Sequence, residues 1–180
     1  MKPFISNDKY ETTGETKVFA GVTLHRIRAK VSFGSIEEGS LGGFVESENN
    51  LHVYGNAWVS GNAWVSDNAW VYGDAQVSGN AWVYGDAWVY GNARVSGSEH
   101  YITISPIGSE NGVLTAFIEK GGEIRIRRGC FDGTIDQFSN AIKARHGDND
   151  HGKIYMLAVE MIRRRLGLAA EGLKAKEQSE

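Results

Sequence analysis

From Leu51 to Ser98 the chain repeats with a period of six. The eight hexads read LHVYGN, AWVSGN, AWVSDN, AWVYGD, AQVSGN, AWVYGD, AWVYGN and ARVSGS. Val holds the third position throughout, and Ala holds the first in every hexad but the leading one, which has Leu. A period of six matches neither a strand nor a helix, whose side chains repeat every 2 and 3.6 residues. It suits a solenoid in which each hexad is one short strand and one corner, three hexads closing a coil. Val is β-branched and fits the strand. Ala is small enough for the crowded interior beside it. Gly followed by Asn or Asp supplies the corner, where positive φ is needed. Val53, Val59, Val65, Val71, Val77, Val83, Val89 and Val95 are therefore expected inside. Trp and the Tyr/Ser position flank Val and point outward, because neighbours alternate across a strand.

The motif V-x-G-N/D-A-x resembles the hexapeptide repeat of left-handed parallel β-helices. The resemblance covers the repeats and implies that fold, three hexads per coil, without implying a chemistry. Residues eighteen apart then share a face. One face carries His52, Tyr54, Trp70, Tyr72, Trp88 and Tyr90. A second carries Trp58, Ser60, Gln76, Ser78, Arg94 and Ser96. The third carries Trp64, Ser66, Trp82 and Tyr84, and continues to His100 and Tyr101. The first is an aromatic ladder. Large apolar patches on water-exposed proteins are usually covered. Tyr54, Trp70, Tyr72, Trp88 and Tyr90 are therefore the expected interface of a homo-oligomer, a trimer being favoured.

The segments on either side are candidate caps for the open ends of the coil. Val22 to Phe33 reads as a half-buried strand, with Ile27, Ala29, Val31 and Phe33 on one side and Arg26, Arg28 and Lys30 on the other. The run R-I-R-A-x-x-x-F-G…G-x-L-G-G-F-V resembles the lead-in of a group of bacterial and bacteriophage β-helix proteins. After the repeats, Tyr101 to Ile104, Val113 to Glu119 and Glu123 to Arg128 read as strands, with Lys120-Gly121-Gly122 as a hairpin turn. Gly129 to Gly133 breaks the last of them. Thr134 to Gln137 is a capping box opening a helix to about Arg145, with Ile135, Phe138 and Ile142 inward. A second helix runs from about Lys153 to Leu166, with Ile154, Leu157, Ala158, Met161 and Ile162 inward. The G-C-F-x-G-T…H-G-D-N run resembles the ending of the same phage-borne group. The expected fold is thus mainly β with an α+β C-terminal module, a left-handed β-helix followed by a small sheet under an αα-hairpin. The expected divisions are an N-terminal segment over 1–44, the β-helix over 45–100, the α+β module over 101–170 and a disordered tail over 171–180.

The net charge of −3 advertises no global basic field, so duplex nucleic acid is not an expected partner. No apolar run is long enough to cross a bilayer and no signal-like h-region opens the chain, so a cytoplasmic location is expected, and no membrane partner. Cys130 is the single cysteine, which excludes an intrachain disulfide and a cysteine zinc site; a buried thiol is its default. Left-handed β-helices include acyltransferases, which use a general-base His beside a loop extruded from the coils, and zinc-dependent carbonic anhydrases, which need three His. The repeats read as free of insertions. His52 and His100 read as strand-surface residues, and the spacing of His25, His52, His100, His146 and His151 makes no zinc set. Asp150 reads as a helix cap. No phosphate-binding or dinucleotide fingerprint is present. No enzyme activity, metal or cofactor is expected.

Binding remains. Arg26 and Arg28, with Lys30, and Arg125 and Arg127, with Arg128, present cations on single strand faces; Arg163, Arg164 and Arg165 end the last predicted helix. Arg offers bidentate contacts to phosphate. Arg26, Arg28, Arg125 and Arg127 are the candidate residues for a small anionic ligand, a nucleotide being favoured. With the phage-like resemblance, the expected role is to counter host defence, by sequestering such a signal or by blocking a host defence protein. The alternatives are a structural or assembly spacer and a hexapeptide-type acyltransferase.

Overall fold

The computed structural model describes residues 6–177, with side chains to residue 175. Its contacts divide the chain into two units, Met1–Ser98 and Glu99–Glu180.

The first unit opens with β1 (Tyr10–Phe19) and β2 (Val22–Ala29), an antiparallel hairpin turning at Ala20 and Gly21, both with positive φ. β2 pairs antiparallel with β3 (Leu41–Val45). Seven two-residue strands follow: β4 (Trp58–Val59), β5 (Trp64–Val65), β6 (Trp70–Val71), β7 (Gln76–Val77), β8 (Trp82–Val83), β9 (Trp88–Val89) and β10 (Arg94–Val95). They form three parallel sheets: β4, β7 and β10; β6 and β9; and β5 and β8, which extend the sheet of β1, β2 and β3. Paired strands lie eighteen residues apart, as in Trp64 with Trp82 and Trp70 with Trp88. The chain is therefore a β-solenoid. Each coil hands its amides to the next, as where Trp58 N–H donates to the Ala75 carbonyl and Trp70 N–H to that of Ala87, both at 2.9 Å. The corners stack too: the amides of Asn56 and Asn68 donate to the carboxylates of Asp74 and Asp86 at 2.8 and 3.0 Å.

Val59 through Val95 and the repeat alanines are buried. The leading hexad departs from the expected frame. Val53 is only half-buried, and the fully buried residue there is Leu51. Leu51 bridges Val71 and Val45 pairs with Val65, each twenty residues apart, whereas Val59 and Val77 are eighteen apart. By Gly55, which lies against Gly73, the spacing is eighteen again. The extra pair is Val53-Tyr54, a two-residue extrusion that leaves Tyr54 78% exposed. Asn50, in the turn just before Leu51, is buried as well. Its side-chain amide is fully buried and donates to the carbonyls of Asp67 and Ala69.

The L-G-G-F run has a steric cause. A Cβ on Gly43 would stand 2.5 Å from the Ala63 carbonyl oxygen and 2.8 Å from a Val59 methyl. Only glycine lets β3 lie that close to the first coil. The basic end of the hairpin docks on the solenoid as well. Lys9 is buried, donating to the carbonyls of Ala57 at 2.8 Å and His52 at 3.1 Å. Burial pushes its ammonium down to about 8. Tyr10 packs edge-on to Trp58 and donates to the Leu51 carbonyl, and burial raises its hydroxyl to about 12. The expected strand to Phe33 stops at Ala29, where the chain turns out of the sheet and leaves Val31 exposed.

The second unit is a four-stranded antiparallel sheet of β11 (Tyr101–Ile107), β12 (Gly112–Ile118), β13 (Ile124–Arg128) and β14 (Phe131–Thr134), followed by α1 (Ile135–His146) and α2 (Asp150–Glu177). β14 is a strand that the Gly129–Gly133 break concealed. The Thr134–Gln137 capping box is present on α1. α2 differs in three ways from its expectation. It runs eleven residues past Leu166, so residues 171–177 are helix rather than disordered tail, and 178–180 lie outside the described residues. Its cap is Asn149, whose side chain accepts from Gly152 N–H, rather than Asp150. Its buried stripe is Tyr155, Ala158, Val159, Ile162, Leu166 and Ala170, whereas Ile154, Leu157 and Met161 face outward. Cys130 is exposed, not buried, because it sits in the β13–β14 turn. Among the described residues no helix is long and apolar enough to cross a membrane.

Two outcomes follow from this packing. Val71→Asp places an unpaired charge inside the coil and should abolish the cooperative melt of the first unit in circular dichroism, the penalty exceeding a marginal domain's stability. Lys9 titrates at a lower pH in the native chain than when unfolded, so the unfolded state binds more protons between about pH 8 and 10.5. Stability should therefore rise with pH across that window. Melting at pH 7 and at about pH 9, where free tyrosine is only about a tenth ionised, should show the rise in the wild type and its loss in Lys9→Met.

Candidate functional site

The four candidate arginines lie in both units: Arg26 and Arg28 in the first, Arg125 and Arg127 in the second. Arg26, Arg28 and Arg125 each meet a carboxylate. Arg28 Nη2 lies 2.8 Å from Glu11 and Arg26 Nη1 3.5 Å from Glu15, both acids on β1. Arg125 Nε donates to Asp132 at 2.6 Å, and its Nη1 is 3.6 Å from Glu119. Arg127 stands opposite Asp132 in the β13–β14 register. Arg26 is not a solvated outer residue; its guanidinium lies 5.3 Å from the Phe44 ring centroid. Arg128 is mostly buried, donating to the Ile107 carbonyl. Arg163 and Arg164 pair with Asp136 and Glu160 at 2.6 Å from the middle of α2, not from its C-terminal turn.

The aromatic ladder is continuous along its face. Tyr72 and Tyr90 stack at 4.8 Å with an interplanar angle of 9°, Trp70 stacks on Tyr72 at 4.5 Å, and Trp70 meets Trp88 edge-on at 5.5 Å. His52 packs its ring on Trp70 at 5.5 Å. Tyr90 is only 6% exposed, so the accessible part of the ladder is Trp70, Tyr72 and Trp88, with Tyr54 projecting from the extrusion. His100 is buried rather than on a strand surface, with Nε2 3.4 Å from Glu99.

A concave site lies on the neighbouring face. The sheet of β3, β5 and β8 stacks Phe44, Trp64 and Trp82 in a row. β1 carries Lys17 and Phe19 over that row. Lys17 Nζ sits 4.1 Å from the Phe44 centroid. Phe19 packs on Trp64 at 4.6 Å and on Trp82 at 5.0 Å, and the two Trp rings meet edge-on at 4.3 Å. The hairpin tip thereby roofs a cavity of about 410 Å³. Phe19, Trp64, Trp82 and Tyr84 form its aromatic wall, and Asp67 with Ser66 its polar edge. Trp82 remains 41% exposed at the mouth.

Asp67 occupies a corner where the other internal hexads carry Gly, and adopts φ 57°. A left-handed conformation costs a non-glycine residue about 1 kcal/mol. Three hydrogen bonds hold it there: its N–H donates to the Glu46 carboxylate at 2.8 Å, its carbonyl accepts from the Asn50 side chain at 3.0 Å, and its carboxylate accepts from Gly85 N–H at 3.0 Å. The hexad AWVSDN carried this signal, as the one internal departure from Gly at that position. Phe19 had no such signal, since β1 itself was not expected. Phe19→Ala should loosen the hairpin tip at a cost of roughly 1 kcal/mol. Hydrogen exchange should quicken at the amides of the tip, with red-shifted tryptophan emission, while the solenoid amides stay protected.

The repeat region matches the YdcK beta solenoid repeat family over residues 52–67, 75–91 and 87–100. No curated protein matches the chain.

Proposed function

We propose that this chain is a non-catalytic binding protein, with a solenoid as rigid scaffold and the roofed aromatic cavity as its ligand site. The observation that carries the reading is the hairpin tip held over Trp64 and Trp82 by Phe19, which makes a concave, mostly aromatic site with a carboxylate at its edge. Pockets of this size and lining are the usual form of small-molecule sites. Neither histidine weighed for acyl transfer lines this cavity: His52 packs on Trp70, and His100 is buried beside Glu99. The nucleotide version of the reading requires Arg26, Arg28, Arg125 and Arg127 to exchange the carboxylates beside them for phosphate, and it is the weaker version for that reason.

The finer architecture belongs to the same proposal. The V-x-G-N/D-A-x pattern and the eighteen-residue pairing support a left-handed coil of three hexads. The R-I-R-A lead-in and G-C-F-x-G-T ending are the grounds for a phage-borne origin and for a role against host defence. The exposed part of the aromatic ladder supports a homo-oligomer.

Native mass spectrometry of the purified protein should report more than one subunit, and Trp70→Ser with Trp88→Ser should give monomers, because binding energy concentrates in buried aromatics. A thermal-shift panel of nucleotides, organic amines and neutral aromatics should contain a compound that stabilises the wild type but not Trp82→Ala. The gain should reach about 2.7 kcal/mol at a hundredfold excess over Kd. A panel without any such compound favours the structural spacer.

A further inference from the structure

We propose that the cavity under the hairpin tip takes an organic cation, specifically a methylated ammonium group. The inference rests on the reading of that cavity as a ligand site and assigns the chemistry of what enters it.

The first observation is what the aromatic row already holds. At its lower end, Phe44 has Lys17 Nζ 4.1 Å from its centroid and the Arg26 guanidinium at 5.3 Å. Both are within the roughly 6 Å over which a ring quadrupole attracts a cation. At the upper end, Trp64 and Trp82 present larger indoles, the better cation-binding rings. The lining of the cavity there contains no lysine, arginine or histidine. The row is thus filled by the chain's own cations at one end and, at the other, covered in part by Phe19 with Trp82 still 41% exposed.

The second observation is Asp67. It is the carboxylate of the lining, and no ion pair is found for it among the described residues. It stands at a corner whose backbone favours glycine, with φ 57°. Non-glycine residues held in that region cluster at ligand sites. Its bond to Gly85 N–H uses one oxygen and leaves the other for a counter-ion.

The third is the scarcity of acceptors. Beyond Asp67, the lining side chains that can accept a hydrogen bond are Ser66 and Tyr84. A primary ammonium carries three donors that each need a partner when desolvated, and would have to reach all three of those side chains at once. A methylated ammonium carries charge without that demand and suits an apolar wall.

Choline and its neutral isostere 3,3-dimethylbutan-1-ol distinguish charge from shape. In calorimetry on the full chain, choline should bind at least about tenfold more tightly than the isostere, a ratio set by cation–π and carboxylate attraction. Asp67→Gly restores the residue found at the equivalent corners, so it should keep or raise the melting temperature while lowering choline affinity about fivefold or more. Trp82→Ala should weaken choline binding similarly. Choline should also quench tryptophan emission in the wild type and much less in Trp82→Ala. Equal affinity for the two compounds overturns the cation assignment and leaves the cavity as an apolar binding site. Binding of neither, with a folded wild type, overturns the cation assignment and removes this cavity as the site of the proposed function. Choline binding unchanged in both Asp67→Gly and Trp82→Ala places the cation elsewhere and also overturns the inference.

Discussion

Inside the coil there is room for Val and Ala and for little else. That limit organises the first unit. Because each hexad after the first contributes one β-branched residue and one methyl to the interior, every large side chain of those hexads is forced outward. A tryptophan that in most folds would seed a core stands here on a surface. Parallel pairing then aligns the displaced aromatics of successive coils, since a strand and its partner eighteen residues on share one register. The rows of rings on the outside are thus a by-product of a narrow inside. What distinguishes the faces is the fate of each row. Trp58 is buried by Tyr10 and Phe33, Trp64 and Trp82 are partly covered by Phe19, and Trp70 packs on Trp88, Tyr72 and His52.

Most of the solenoid could be read from its period, because a repeating core leaves a repeating mark. The reading failed where the repetition was accidental. In LHVYGN the Val at the third position copies the pattern of its neighbours, yet Leu51 is the residue in the interior and Val53-Tyr54 is extruded. Composition within six residues cannot reveal a two-residue change of coil length; only pairing to the next coil can. α2 misled for a related reason. It carries apolar residues on two sides, and the stripe chosen by packing against the sheet is Tyr155, Val159, Ile162 and Leu166 rather than Ile154, Leu157 and Met161. Periodicity gives the existence of an amphipathic face but not which of two candidate faces a sheet will cover.

The arginines teach the most about where local reading stops. Their alternation with apolar residues was plain, and it suggested open cationic faces. The acids that answer them sit on strands with no strong sequence mark. β1, with Glu11 and Glu15, is polar and interrupted by Gly14; β14, with Asp132, is four residues long and follows a tight turn. Missing those two strands meant missing the carboxylates, so cross-strand charge pairs looked like unpaired patches. Of the site that the structure favours, the wall of Trp64, Ser66, Trp82 and Tyr84 was legible as one face of the eighteen-residue period, and Asp67 as the Asp at a glycine corner. The site's other half, Phe19, comes from a hairpin whose docking on the coil no local pattern encodes.

The stacked corners, in which Asn56, Asn62 and Asn68 each bond the residue one coil later, have a consequence for how such a chain can change length. Gain or loss of one whole coil returns every corner amide to an equivalent partner and every ring to its own row, so a lineage can lengthen or shorten this scaffold by duplication without redesigning a single contact. Gain or loss of a single hexad preserves the interior equally well, Val for Val and Ala for Ala, but carries all that follows onto the adjacent face. Placed between Trp64 and Trp82, such an event would leave a sound solenoid whose hairpin roofs the wrong wall. Length variation in proteins built this way should therefore come in steps of a whole coil wherever a site spans two coils, and in steps of one hexad where none does.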